Sequence, residues 1–360
     1  MTSLELARDL ASRLRLGAPI DLFAGPGGWD EGVRALGLTP RGIELDTDAC
    51  ETGRAAGHYR HQGDVAAIDP RAVLAPWGRP SGGIGSPPCP GFSKATANAR
   101  GRTDALEVIE TLERVDDLEG VELALRLLRP RMSDRRTLLA LEPLRWALAL
   151  EPGWLTFEQV PPVLPLWDAC AEVLRRRGYT VTTGILSAEQ YGVAQARKRA
   201  VLVARSPELT DRLGPATLPA PTHSRYYPRT PDRLDEGVLP WRSMADALGW
   251  GMTHRPYPTV AVGTGGGGGT DPAALGGSGA RRGVLAELEA GRWRGPRPDG
   301  VLRLTDAEAG VLQGFRRNYP WQGARGSRFQ QVGNAVPPPL GRAIVAHVAG
   351  LTELEGEAAA

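Results

Sequence analysis

Between residues 18 and 204 short apolar runs alternate with helical patterns, and that alternation restricts the fold more than any other feature. "PIDLFA" (19–24) is a short apolar run that ends in glycines, as a buried strand does. "GWDEGVRALG" (28–37) has helical spacing and a closing glycine, Gly37. "RGIEL" (41–45) reads as a second strand, and a helix follows from Asp46 to about Gly57. "GGIGS" (82–86), "WLTFEQV" (154–160) and "RKRAVLVA" (197–204) continue the strands; "LEGVELALRLLRP" (118–130) and "PLWDACAEVLRRRG" (165–178) continue the helices. Strands that alternate with helices imply an α/β fold, with a parallel or mixed sheet covered on both faces. Ligands in such folds sit at the carboxyl ends of the strands.

The pattern changes over 205–300, which is rich in Pro, Gly and Arg and includes "GTGGGGGT" (263–270), a stretch with no side chains to pack. This reads as a smaller, loop-rich domain. Regular spacing returns at "LTDAEAGVLQGF" (304–315), a helix capped at Thr305 or Asp306 with Glu308 in its first turn. A last helix follows "GNAVPPPLG" (333–341), and "ELEGEAAA" (353–360) reads as a frayed tail. The expected division is 1–204 with 301–350 as one domain, 205–300 as another, and 351–360 as a disordered tail.

Several function classes fall away on composition. No apolar run approaches the roughly 20 residues that span a membrane. The opening "MTSLELARDLASRLRL" reads as an amphipathic helix and lacks the apolar core and cleavage site of a signal peptide, so a cytoplasmic location is expected. Cys50, Cys89 and Cys170 are too few and too far apart for a disulfide framework or the usual zinc sites, and no metal is expected. No GxxxxGK[ST] is present, which argues against an NTPase. Residues 201–350 carry 18 Arg against 12 Asp and Glu, a surplus that permits a phosphate-bearing partner.

The chemistry-bearing motifs all fall at strand ends. "DLFAGPGGWDEG" (21–32) is a strand, a glycine turn and a helix start; Gly25, Gly27 and Gly28 let backbone approach a ligand, and the helix start offers N–H groups. Tight turns also use glycine for steric reasons alone. Glu44 ends the next strand, where acids hold ribose hydroxyls in dinucleotide folds, and Asp64 of "GDVAA" follows a third. Together they suggest a nucleoside-containing cofactor. "GSPPCPGFSK" (85–94) fixes Cys89 between prolines at the mouth of the sheet, either as a small turn residue or as a nucleophile. Glu158 closes the fifth strand. Arg197 and Arg199 of "QARKR" point the same way at period two, which asks for an anion or carboxylate opposite.

The ordered set "DLFAGPGGW", "GIELD", "GDV", "GSPPCPGFS", "FEQV", "QARKR", "LQGF" and "QVGNAVPPPLG" resembles the DNA (cytosine-5) methyltransferases, which use S-adenosylmethionine, in their bacterial or phage form. The resemblance covers nearly everything outside 205–300. It implies a Rossmann-like mixed seven-stranded sheet and a small target-recognition domain at 205–300. It implies that Cys89 attacks carbon 6 of a flipped cytosine, that Glu158 contacts ring nitrogen 3, and that Arg197, with Arg199 beside it, holds the base or its phosphate. "PGFSKATANARGRTDALE" (90–107) would be the loop that closes over the base.

For the cofactor, the resemblance places Phe23, Ala24, Gly25, Pro26, Gly27 and Gly28 along the methionine and ribose. Glu44 would take the ribose hydroxyls, Leu45 the adenine face and Asp64, with Val65, the adenine amine; Pro88, Asn334 and Val336 would complete the pocket. The partner implied is double-stranded DNA, reached by Ser93 and Lys94 of the loop and by Arg225, Arg229, Arg255 and Thr259 of the recognition region. Arg233, Arg281, Arg282, Tyr226 and Tyr227 lie nearby in sequence. A cognate restriction endonuclease and a monomeric state are further expectations. "FEQV" has Gln159 where the family commonly has asparagine, which bears on how the cysteine loop is hydrogen-bonded. The RNA-directed branch carries a Cys-Phe-Thr signature that this chain lacks.

Overall fold

The computed structural model describes residues 17–73, 78–88, 90–92, 99–249, 255–260 and 304–351. The opening amphipathic stretch, Cys89, Ser93, Lys94, Arg281, Arg282, the glycine stretch at 263–270 and the tail beyond 351 lie outside the described residues.

Among the described residues nine strands are formed: β1 (Ile20–Leu22), β2 (Arg41–Glu44), β3 (Tyr59–Gln62), β4 (Gly82–Gly85), β5 (Trp154–Gln159), β6 (Thr180–Ser187), β7 (Gln195–Ala196), β8 (Lys198–Arg205) and β9 (Tyr257–Pro258). Seven of them make one sheet in the order β3-β2-β1-β4-β5-β8-β6. β3 to β5 run parallel; β8 is antiparallel to both β5 and β6. The order reverses between β1 and β4, so a crevice opens beyond their carboxyl ends. Because β8 runs the other way, its first residues, Lys198 and Arg199, arrive at that same edge, where Glu158 pairs with Val201.

Helices cover both faces: α1 (Gly28–Arg34), α2 (Thr47–Ala55), α3 (Ala99–Leu112), α4 (Leu118–Leu128), α5 (Glu142–Leu150), α6 (Leu164–Arg176), α7 (Pro207–Leu213), α8 (Met244–Leu248), α9 (Asp306–Gln313), α10 (Arg325–Asn334) and α11 (Pro338–Ala349). One core joins α3, α4 and α6 to the sheet through Val108, Leu112, Val121, Trp167, Phe157 and Leu202. The opposite core joins α1 to α11 through Trp29, Val33, Ile84, Trp154, Leu340 and Ile344. Each large apolar side chain so buried contributes about 1.5–3 kcal/mol. Close approach of α11 to α1 depends on Gly32, where an added Cβ would lie 2.4 Å from the Pro338 carbonyl oxygen.

Local signals explain the helix starts. Asp46 caps α2 by accepting from Ala49 N at 2.8 Å, and Thr305 caps α9 in a reciprocal box with Glu308. One expectation needs correction. The segment after Cys89 is not a loop throughout 90–107: from Ala99 it is helix α3, and Ala105, Val108 and Leu112 lie in the core. Their spacing at i, i+3 and i+7 puts them on one helix face, which α6 covers. Phe92 is buried against the same core, and an added Cβ at Gly91 would meet Thr137 Oγ1 at 2.8 Å, so the end of the cysteine segment is docked.

Candidate active site

The glycine turn between β1 and α1 has an unusual backbone. Phe23 takes a left-handed φ of 59°, and Gly25 and Gly27 have φ of 54° and 112°. A left-handed conformation is costly for a bulky residue and persists only when its surroundings impose it. The imposing group is in place: the Glu44 carboxylate accepts from Gly25 N at 2.8 Å with Oε2, and from Leu45 N and Asp46 N at 2.7 and 2.8 Å with Oε1. Oε2 retains acceptor capacity beyond its single donor. Next to it Leu45 is 63% exposed, an uncovered apolar side chain at the end of an otherwise buried strand.

The wall opposite comes from the chain's far end. Val336 is buried against the turn, and a Cβ on Gly28 would lie 2.3 Å from the Val336 carbonyl oxygen, so only glycine allows this approach. Asn334, the last residue of α10, is exposed beside it. Asp64 is also exposed; its Oδ1 accepts from Ala66 N at 2.9 Å while Val65 is buried. Pro88 is exposed, and Ser86 at the exit of β4 accepts from Trp29 Nε1 at 2.9 Å. The ends of β1, β2, β3 and β4 therefore bring to one end of the sheet a glycine turn, two carboxylates and an exposed leucine, with Val336 packed on the turn. A carboxylate with spare acceptor capacity beside an apolar surface suits a ribose next to a flat base. These acceptors, with the exposed Leu45 beside them, fit S-adenosylmethionine.

At the adjacent edge, Glu158 is 4% exposed and Arg199 8%, and the Arg199 Nε lies 2.7 Å from Glu158 Oε1. Burial works against the charge on the Arg199 guanidinium, and the Glu158 carboxylate and hydrogen bond work for it. Gln159 then ties this pair to the cysteine segment: its Nε2 donates to the Pro87 carbonyl at 2.8 Å and its Oε1 accepts from Val160 N. The longer glutamine thus makes a bond to the loop that the departure from asparagine had put in question.

The two arginines do not share partners. Arg199 meets the carboxylate that the period-two spacing asked for. Arg197, expected at the base or its phosphate, is 1% exposed, and its Nη atoms donate to Val260 O, Gly333 O and Ala335 O at 3.2, 2.8 and 3.2 Å. The reason is a break in the strand: residues 195–196 pair with β9 while β8 begins only at Lys198. Arg197 lies at that break and clamps the 258–260 segment and the end of α10.

Two buried glutamines escaped sequence reading. Gln195 accepts from Val260 N at 2.9 Å and donates to Leu312 O and Gln313 Oε1; Gln313 donates to Ala335 O. Both fall within quoted motifs, but nothing in the spacing marks them as partners.

Of the residues expected at DNA, Arg225 and Arg229 are exposed and Arg255 is half-buried. Arg225 N donates to Asp235, Arg233 stacks 4.1 Å above the Tyr227 ring, and Tyr226 meets Trp241 edge-on. Thr259 is exposed, with its hydroxyl donating to Ala196 O at 3.0 Å. Among the described residues no His, Cys, Asp and Glu group could hold a metal, and no helix is long and apolar enough to cross a membrane.

Comparison with known proteins agrees with this geometry. The family model for C-5 cytosine-specific DNA methylases matches residues 18–113, 128–237 and 277–349. The type II methyltransferase M.NaeI of Lentzea aerocolonigenes is 28% identical over 94% of this chain and 76% of its own length. M.HgiDI of Herpetosiphon aurantiacus, another type II methyltransferase, is 24% identical over 89% of this chain and 90% of its own. The fold matches that of a solved DNMT2 from Spodoptera frugiperda with a TM-score of 0.55 and 15% identity, over 92% of this chain and 99% of that one. The glycine turn, the buried Glu158–Arg199 pair and the matched segments coincide: the chain belongs to the C-5 cytosine-specific DNA methylases.

Proposed function

We propose that this chain methylates carbon 5 of a cytosine flipped from duplex DNA, with Cys89 as nucleophile and the Glu158–Arg199 pair as the group that receives the base. The observation that carries the assignment of roles is that pair: a buried carboxylate held at 2.7 Å by a buried arginine, beside a cysteine segment tethered through Gln159. Carbon 5 of cytosine is a poor nucleophile. Addition of the Cys89 thiolate to carbon 6 makes the ring enamine-like, and carbon 5 can then take a methyl group. S-adenosylmethionine supplies that methyl as a sulfonium electrophile. Glu158 meets ring nitrogen 3, where a proton offsets the charge that develops on attack, and Arg199 orients the carboxyl and carries countercharge. A base then removes the carbon 5 proton and β-elimination frees Cys89. The ring must leave the stack to be reached, at a cost of a few kcal/mol.

In this reading Arg197 acts at one remove, by fixing the 258–260 segment against the site. Residues 205–300 form the target-recognition domain, with Arg225, Arg229, Arg255 and Thr259 toward DNA and Ser93 and Lys94 on the catalytic side. The type II methyltransferase relatives favour a cytoplasmic enzyme that acts with a cognate restriction endonuclease. A monomer suffices for the chemistry described. The test is trapping: duplex DNA bearing 5-fluorocytosine at the target should form a covalent adduct with the enzyme, absent in Cys89→Ala and reduced in Glu158→Gln. A full-strength adduct with Cys89→Ala would refute the nucleophile.

A further inference from the structure

Beneath the glycine turn lies a buried charge that the reaction does not use. Arg60 stands on β3, the edge strand, between exposed Tyr59 and His61, yet it is only 6% exposed and its guanidinium is fully enclosed. All five of its N–H groups find acceptors. Nε donates to Gly25 O at 3.1 Å. Nη1 donates to Tyr59 O at 2.7 Å and to Asp30 Oδ1 at 3.3 Å. Nη2 donates to Ala24 O at 3.4 Å and to Asp30 Oδ2 at 2.7 Å. Asp30 is itself buried on α1, so the arginine joins the edge strand, the turn and the helix that follows it.

The route of this side chain is built into its neighbours. A Cβ at Gly42 of β2 would lie 2.5 Å from Arg60 Nη1, and one at Gly53 of α2 would lie 2.7 Å from Nε. Two glycines on two elements leave a lane that only this guanidinium fills. Tyr319 adds a third hold, with its hydroxyl donating to Pro26 O. The carbonyls of Ala24, Gly25 and Pro26 are thus all held from below.

A trans peptide points its C=O and N–H in opposite directions. The Ala24–Gly25 peptide has its C=O on Arg60 and its N–H on the Glu44 carboxylate. Fixing the carbonyl from below therefore aims the amide at Glu44 above. We propose that Arg60 is a positioning residue for cofactor binding: it sets the Ala24–Gly25 peptide so that Glu44 faces the ribose. The proposal rests on the assignment of this site to S-adenosylmethionine. Its distinctive feature is that an enclosed guanidinium acts through the main chain of the turn, at the Ala24 and Gly25 carbonyls.

Calorimetric binding of S-adenosylhomocysteine to the full chain tests it, with thermal melts of the free protein beside it. Arg60→Met should weaken binding at least tenfold in protein that still melts cooperatively, and the KM for S-adenosylmethionine should rise more than kcat falls. Arg60→Lys should not rescue, because an ammonium cannot span five acceptors. Gly53→Ala keeps the charge but displaces the guanidinium, and should weaken binding severalfold; it decides the matter if Arg60→Met does not fold. Glu44→Gln and Asp64→Ala report on the site itself. If those two leave affinity unchanged, the cofactor site is misassigned. If they weaken it while folded Arg60→Met or Gly53→Ala binds normally, Arg60 is structural only and the proposal fails.

Discussion

Gln159 offers a sharp test because it links two parts of the site through side-chain bonds alone. Gln159→Ala removes the donor to Pro87 O at 2.8 Å and the acceptor for Val160 N, and leaves the main chain of β5 paired with β8. Each neutral hydrogen bond contributes about 0.5–1.5 kcal/mol net. Loss of both should loosen the segment two residues before Cys89 by about 1–3 kcal/mol, and water can replace part of that at the partly exposed end. If this tether holds the nucleophile in its attacking geometry, kcat should fall about 5- to 100-fold. Cofactor affinity should change less than kcat, since neither bond is made to the glycine turn or to Glu44. Single-turnover kinetics on duplex DNA with saturating S-adenosylmethionine would measure the chemical step, and calorimetry would measure cofactor binding. A normal chemical step, or a loss confined to cofactor affinity, would refute the reasoning. Gln159→Asn should behave like Ala, because one methylene less leaves the amide short of Pro87 O at the present loop position.

Other outcomes follow from the same structure. Cys50 and Cys170 are buried, which pushes the Cys50 thiol up to about 11 and the Cys170 thiol higher still; native alkylation at pH 8 should spare both and label Cys89, as peptide mapping would show. Asp21 is fully buried with neither carboxylate oxygen hydrogen-bonded; burial first and Asp30 second hold its carboxyl well above the usual 3.8, against the pull of Arg60. The folded chain then keeps a proton that the unfolded chain releases, so this group costs stability as pH rises past the ordinary carboxylate range. Asp21→Asn should therefore gain more in melting temperature over wild type at pH 8 than at pH 4; a pH-independent difference would contradict that. Arg199→Met leaves Glu158 buried without its partner and should cost about 3–5 kcal/mol in a urea melt, along with turnover. Leu45→Ala, at a largely exposed position, should leave stability within about 0.5 kcal/mol while cofactor binding weakens several-fold in calorimetry.

Much of the sheet was legible because its inner strands are short apolar runs stopped by glycine or proline, as at "PIDLFA" and "GGIGS". The edge was not. β3 reads Tyr-Arg-His-Gln, and three of those four side chains are exposed, so no apolar pattern marks it or reveals that its arginine is the buried one. Arg60's acceptors come from a turn 35 positions earlier and a helix 30 positions earlier, and its lane from glycines whose absent side chains leave no trace in spacing. Period-two reasoning placed Arg197 and Arg199 alike; a ladder that changes partner between Ala196 and Lys198 separated them. The glycine turn, Glu44, Asp64 and Glu158 were readable at strand ends, while the place of Val336 came only from the family resemblance. Gln195 and Gln313 meet through a tertiary pairing 118 positions apart, which no local pattern encodes.

The most direct measurement is bisulfite sequencing of plasmid DNA from cells that express the chain, beside a Cys89→Ala control. The account predicts protected cytosines in one sequence context with the wild-type chain and none with the control. Unprotected cytosines from soluble wild-type protein that binds S-adenosylhomocysteine, or protection that survives Cys89→Ala, would contradict it.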